Sequence, residues 1–261
     1  MIRSIVALFL FANFCFANTP IPDSQSTDFT SFALGARPYW QLSRALKHDM
    51  CWPSACVENG AVVPSADLKN FPVAGQGGCP PAGSRFPVYW NAKKCTDTEI
   101  RVAYSLFWKK DGFSPSGIYG HGYDWEQVIV VYAKNGNSWS RKGAYLSGHG
   151  GYKYYDWNEM TTSNESNIAA GGQNMDHPKI FPAWAKHSMF INSKDGNPVL
   201  EGLDAFDENA FRTSSYQYFN AKEEMIQVVP NTQLWTLIAN KDWNKASSSP
   251  NVVYDKLCTI K

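Results

Sequence analysis

The chain has 261 residues, a formal net charge of +1 and a charged fraction of 18%, which leaves neither a basic stripe for nucleic acid nor a polybasic patch for anionic lipid. Aromatic residues make up 15%, with ten tryptophans; most belong in a core, and exposed ones would serve sugars or a membrane interface. The length suits one good-sized core, so a single domain is expected.

Residues 1–17 read as a secretory signal peptide, with one early cation at Arg3, an apolar run from Ile5 to Phe16 and a small residue at Ala17. The apolar run is too short for a membrane anchor, and a soluble, exported protein follows. Residues 18–36 are polar, carry Pro20 and Pro22, and are expected to be a flexible leader before a domain spanning 37–261. Leu42, Ala45 and Leu46 suggest a short helix within Arg37–Met50. Four of the five mature cysteines (Cys51, Cys56, Cys79, Cys95) then fall in a Pro- and Gly-dense segment, with Cys258 far downstream. Export makes disulfides the expected state, and the odd number leaves at least one thiol free or paired elsewhere.

Strands are predicted at Phe86–Asn91, at Arg101–Trp108 through the alternation of Val102, Tyr104, Leu106 and Trp108, at Val128–Tyr132 and at Ala144–Ser147. Residues 155–178 read as a long surface connection carrying the sequon Asn164-Glu165-Ser166, which is compatible with a glycan and equally with none. Leu200, Leu203, Phe206, Ala210 and Phe211 follow helical spacing after Pro198. Met225–Val229 and Leu234–Ala239 are the last strand candidates. Successive strands with few, marginal helices favour a mainly β, single-domain β-sandwich with peripheral helices over a doubly wound sheet.

The chemistry concentrates in Asp111–Tyr132. Val128–Tyr132 is an unbroken β-branched and aromatic run, the pattern of a strand buried on both faces. A strand beginning near Asp124 puts Asp124 and Glu126 on one face, roughly 6–7 Å apart, with Trp125 on the other. Asp111–Gly122 is too rich in glycine for a strand and is expected to be a loop. Asp111, His121, Asp124 and Glu126 form an oxygen-rich set suited to a hard divalent cation, Ca²⁺ or Mg²⁺ above all, with His121 holding a metal-bound water. The same residues serve equally as a turn cap, a solvated strand face and a loop histidine. Glycoside hydrolysis needs a second carboxylate on an opposing element, and Asp156, Glu159 and Asp176 offer no preferred partner. Neither a G-x-S-x-G nor an H-E-x-x-H pattern occurs; no enzyme is expected.

Gly120-His121-Gly122-Tyr123-Asp124-Trp125-Glu126 resembles the GHRHDWE heptapeptide of the Nep1-like, necrosis- and ethylene-inducing proteins, and Val102–Ser105 with Lys110-Asp111 is similar to the AIMYSWYFPKD segment that precedes it. Ala61–Pro64 resembles that family's AVVP run, His149–Tyr152 an HSGY turn, and Pro182–His187 a W-P-x-x-H turn. Gly122 stands where the family has Arg, Tyr123 where it has His, and the turn reads FPAWAKH.

The resemblance implies an actinoporin-like β-sandwich with a divalent cation at one end. Asp111 and Glu126 would be direct ligands, and His121 and Asp124 would act through water. His149 and His187 would line the same cavity, Trp184 or Phe181 would be the aromatic meeting sugar or membrane, and Cys51 would pair with Cys79. It also implies a secreted monomer that binds glycosylinositol phosphorylceramide head groups of plant sphingolipids and damages the outer face of the host plasma membrane. The alternative is a non-cytotoxic relative sensed by a plant immune receptor.

Overall fold

The protein is described from a computed structural model, over residues 18–113, 120–148, 151–193 and 214–261. The proposed signal peptide (1–17), the helix expected between 198 and 211, and His149 lie outside the described residues.

In chain order the strands are β1 (Ile21–Pro22), β2 (Tyr39–Ala45), β3 (His48–Asp49), β4 (Val57–Glu58), β5 (Ala61–Val62), β6 (Val88–Thr96), β7 (Glu99–Gly112) and β8 (Gly120–Asn135). They continue with β9 (Ser138–Gly148), β10 (Gly151–Asp156), β11 (Thr162–Asn164), β12 (Asn167–Gly172), β13 (His177–Pro182), β14 (Met189–Phe190), β15 (Ser214–Phe219) and β16 (Met225–Gln227). Helices are α1 (Thr30–Gly35), α2 (Gln233–Ala239) and α3 (Pro250–Lys256). One sheet runs β1-β9-β8-β7-β6-β16 with β10 also on β9; the second runs β12-β11-β13-β2-β15, with β14 on β13 and β3 on β2. The protein is therefore a mainly β sandwich, as its strand pattern predicted.

Period-two alternation builds the core. Ile100, Val102, Tyr104, Leu106 and Trp108 of β7 and Val128, Val130 and Tyr132 of β8 face Trp40 and Leu42 of β2 and Ile180 of β13. The intervening residues of the first sheet are buried on its outer face as well. Phe107, Tyr123 and Trp125 pack with Ile238, Trp243 and Ala246, while Ala103 and Ile129 pack with Val253, Leu257 and Ile260. Burial on both faces is what the unbroken run Val128–Tyr132 called for.

Several expectations are corrected. Residues 18–36 are not a loose leader: Ile21 pairs with Trp139, and α1 drives Phe32 edge-on against Tyr132 and Trp139, at 4.9 and 6.0 Å. The helix expected within 37–50 is the hairpin β2–β3, because Trp40 and Leu42 alternate into the core. Its two-residue turn, Leu46-Lys47, has φ of +50° and +66°, the pattern of a type I′ turn. Leu234–Ala239 is helical, since Thr232 caps it by accepting the Trp235 N–H at 3.2 Å. The expected connection 155–178 carries β11, β12 and the start of β13, with Asn164 at the β11–β12 turn. Cys51 is bonded to Cys79 and Cys95 to Cys258; Cys56 is a buried free thiol whose pKa burial pushes up to about 12, which leaves it inert.

Candidate metal centre

β7 and β8 run antiparallel up to the glycine-rich segment expected to be a loop, residues 111–122. Its ends are strand, with Asp111 paired to His121 and Gly112 to Gly120. Gly112 has φ of +63°. A Cβ on Gly120 would lie 2.4 Å from the Asp111 carbonyl oxygen, so the closeness of the two strands demands glycine there. β8 thus starts four residues before Asp124.

At this end Asp111, Asp124 and His187, all buried, offer ligand atoms that lie within 4.8 Å of one another. Metal–ligand bonds of about 2.0–2.6 Å place ligand atoms at such separations. His187 is brought in by the turn after β13. The His187 N–H donates to the Ala183 carbonyl at 3.2 Å, and the Gly112 N–H clips the turn to β7 through the Ala185 carbonyl at 2.8 Å. The ring stacks flat on Trp108, with centroids 4.3 Å apart and an interplanar angle of 5°. Its Nδ1 lies 2.8 Å from Asp124 Oδ2, which assigns the proton to Nδ1. Burial pulls the imidazole pKa down to about 3, so at neutral pH Nε2 carries a lone pair.

That Nε2 and Asp111 Oδ1 are buried without a hydrogen-bond partner. Two unsatisfied acceptors in one buried group fit a cation, because leaving buried polar atoms unpaired costs about 1–3 kcal/mol each. His121 stands beside them, with Nε2 3.3 Å from Asp111 Oδ2 and Nδ1 2.9 Å from the Tyr123 carbonyl. Donation from Nδ1 leaves Nε2 facing a carboxylate, an arrangement that a proton or a bridging cation relieves. Two carboxylates suit Mg²⁺, Ca²⁺ or Mn²⁺, and the imidazole extends the range towards Mn²⁺ and Zn²⁺.

The remaining predicted residues go elsewhere. Glu126 lies outside the 4.8 Å group: its carboxylate accepts the Ser147 hydroxyl, and it lines a cavity of about 110 Å³ with Tyr152, Ser248 and Val253. Asp124 and Glu126, expected to share one strand face, part company: Asp124 meets His187, while Glu126 lines a cavity with Val253 of α3. Trp184, expected at the rim, is fully buried, its indole N–H donating to the His48 carbonyl at 3.0 Å. Phe181 is half-buried in β13, opposite Phe190. The exposed aromatic beside the site is Phe71, stacked on Phe113 at 4.4 Å. Lys110 holds that loop, its ammonium donating to the Asp67, Asn70 and Phe71 carbonyls at 2.8, 2.7 and 3.2 Å. Sequence reading missed Lys186, whose ammonium sits 2.7 Å from Asp111 Oδ2; no local pattern signals it.

The two heptapeptide departures share one cause. Tyr123 turns into the outer cluster against Trp243, at 5.3 Å, and a Cβ on Gly122 would lie 3.1 Å from Ser65 and 3.3 Å from Asn244. At both positions the residue is fitted to the segment around Trp243 and Asn244, with Ser65 closing the space at Gly122.

Solved structures share this fold. A protein called NLPPya matches in complex with mannosamine (18% identity, 93% of each chain, TM-score 0.53) and with glucosamine (17%, 93% of each chain, 0.53), as does a mutant of the same protein carrying three substitutions (19%, 91% of each chain, 0.50). The fold is the actinoporin-like sandwich that the heptapeptide resemblance implied. No curated protein matches the chain. The family model described as necrosis inducing protein (NPP1) matches residues 44–231, which takes in Asp111, Asp124, Lys186 and His187 and stops short of α2, and the chain belongs to that family.

Proposed function

We propose that this protein is a secreted effector that binds a divalent cation through Asp111, Asp124 and His187 and uses it to engage sugar head groups of plant sphingolipids at the outer face of the host plasma membrane. The observation that carries this reading is the buried group with two unsatisfied acceptors at the family heptapeptide. The cation would supply a Lewis-acidic point of attachment for sugar hydroxyls. Around it, His187 is held by Asp124 and Trp108, His121 faces Asp111, and Phe71 with Phe113 offers an apolar ring pair to a membrane interface. The amino sugars bound by NLPPya support a sugar as the ligand class. Export is supported by the apolar N-terminus and two disulfides. No helix among the described residues is long and apolar enough to cross a membrane. The family is one of toxins and effectors, and a non-enzymatic role is proposed accordingly.

Membrane damage is the leading form of this reading. Vesicles containing glycosylinositol phosphorylceramide should leak when protein and Ca²⁺ or Mg²⁺ are added together, and stop leaking with chelator. Neither leakage nor head-group binding at saturating cation would remove the proposal. Binding without leakage would favour the second reading, an apoplastic, non-cytotoxic effector sensed by a plant immune receptor. That reading is supported by the rim, where Gly122 and the inward-turned Tyr123 remove two polar groups from the ligand's approach.

A further inference from the structure

The same group contains its own counter-ion. Asp111 and Asp124 bring two carboxylates into one buried setting, and Lys186 brings its ammonium to 2.7 Å from Asp111 Oδ2. Lys186 precedes His187 in a turn fixed at three points: Gly112 N–H to Ala185, His187 N–H to Ala183, and Ala183 N–H to Ser188 at 2.9 Å. The backbone therefore delivers the imidazole and the ammonium to the same acidic pair together. The imidazole is enclosed, whereas the lysine side chain is 21% exposed. A four-carbon stem with an exposed flank swings into water with little rearrangement, while the stacked ring stays.

We propose that Lys186 is an internal competitor for the cation site, so that a divalent ion enters by displacing its ammonium from Asp111. This inference rests on the cation reading above and adds the residue that sets its affinity. Without a cation, the ammonium offsets part of the charge that desolvated carboxylates cannot tolerate alone. With one, a doubly charged ion takes over Asp111, and Lys186 is repelled into solvent. The design makes the site weak by construction, loading only where the cation is plentiful or where a ligand adds contacts to it.

Calorimetric titration of Ca²⁺, Mg²⁺ and Mn²⁺ into the mature chain tests this, using the native protein, Lys186→Met, Lys186→Arg and Asp124→Asn. Lys186→Met should bind on the order of ten-fold tighter than native, within the range of ordinary coupling between ligands. Lys186→Arg should stay near native, since it keeps the charge. Lys186→Met should also melt lower than native without cation and show the larger rise in Tm when cation is added. In the native protein, saturating cation should speed labelling of Lys186 by an amine reagent, read by mass spectrometry. Should Met be poorly accepted, Lys186→Gln carries the same expectations.

Equal affinities in native and Lys186→Met, with labelling unchanged, would overturn the competitor and leave the cation reading standing. Binding by none of the proteins would overturn both. Undiminished binding by Asp124→Asn would place the ion elsewhere and remove Lys186 from its path.

Discussion

Two clusters of charged residues, each with buried members, sit at opposite ends of the first sheet, and they are built on opposite rules. At the far end, about 26 Å along β8 from Asp124 at roughly 3.3 Å per residue, each acid has its base. Arg141 meets Asp176 at 2.9 Å, Arg37 meets Glu165 at 2.7 Å, and His177 Nδ1 lies 3.0 Å from the Arg37 carbonyl. Of the buried atoms left over there, Arg37 Nε and Nη1 and Arg141 Nε are donors, which offer nothing to a cation. At the heptapeptide end the indole N–H groups of Trp108 and Trp125 are left over, but so are two acceptors on ionisable side chains, Asp111 Oδ1 and His187 Nε2, beside a lysine held on Asp111 Oδ2. Burial and ionisable residues are common to both ends. What separates them is the balance of charge and the kind of atom left unpaired on the ionisable side chains, and among the described residues the second end alone brings carboxylates and an imidazole together with acceptors free for a positive ion.

The largest test of this contrast is Arg141→Met. Arg141 also donates to Asn18 Oδ1 at 2.9 Å, to the Thr19 carbonyl at 2.8 Å and to the Gly35 carbonyl. Its removal takes a buried guanidinium from all of these acceptors at once and leaves Asp176, among the described residues, only the Thr19 N–H and hydroxyl, at 2.7 and 2.9 Å; it should cost about 3–5 kcal/mol in urea unfolding. Divalent cation should not restore that loss, and restoration would erase the distinction between the two ends.

Acid should act next. Burial lowers the His177 pKa to about 4, against an ordinary value of 6.5. Between those values the unfolded chain binds the extra proton, so stability is full above pH 6.5 and is lost as pH falls towards 4, by on the order of 3 kcal/mol. His177→Gln should remove part of this slope in thermal melts from about pH 7 to about pH 4, the buried His187 supplying the rest; an unaltered slope would show that His177 is not a source of it.

The smallest effect is expected at the heptapeptide end. Saturating cation at about a hundred times its Kd should stabilise the native protein by about 2.7 kcal/mol. Asp111→Asn and Asp124→Asn should each abolish that gain while leaving the acid sensitivity assigned to His177 in place. A cation effect that survives both substitutions would move the ion away from this group.

How much of this was legible differs from element to element. Val128–Tyr132 and Arg101–Trp108 were readable because each carries its burial in its own alternation, and their antiparallel pairing places Asp111 opposite His121 by register alone. Leu234–Ala239 misled because a short apolar run fits strand and helix alike until its cap is seen to close. Residues 18–36 misled because a polar leader can be held by partners far along the chain, here the packing of Phe32, the pairing of Ile21 and the hydrogen bonds from Lys134, Trp139 and Arg141. Trp184 illustrates the limit for single aromatics: nothing in FPAWAKH says that the indole points into the core and hands its N–H to His48.

Local sequence was enough for the fold class, the family stretch and the presence of acids next to the central strands of the first sheet. Those follow from residue types at spacings of two and from neighbours in the chain, which local sterics and burial translate directly into strands. Tertiary structure alone decided the composition of the site. Lys186 lies 75 residues from Asp111 and His187 63 from Asp124, so only the turn after β13, clipped to the end of β7, brings them in. The same packing sent Glu126 to Ser147 and folded Tyr123 under Trp243. Which carboxylate meets which cation depends on distances of a few ångströms between segments far apart in the chain, and no periodicity within a segment encodes them.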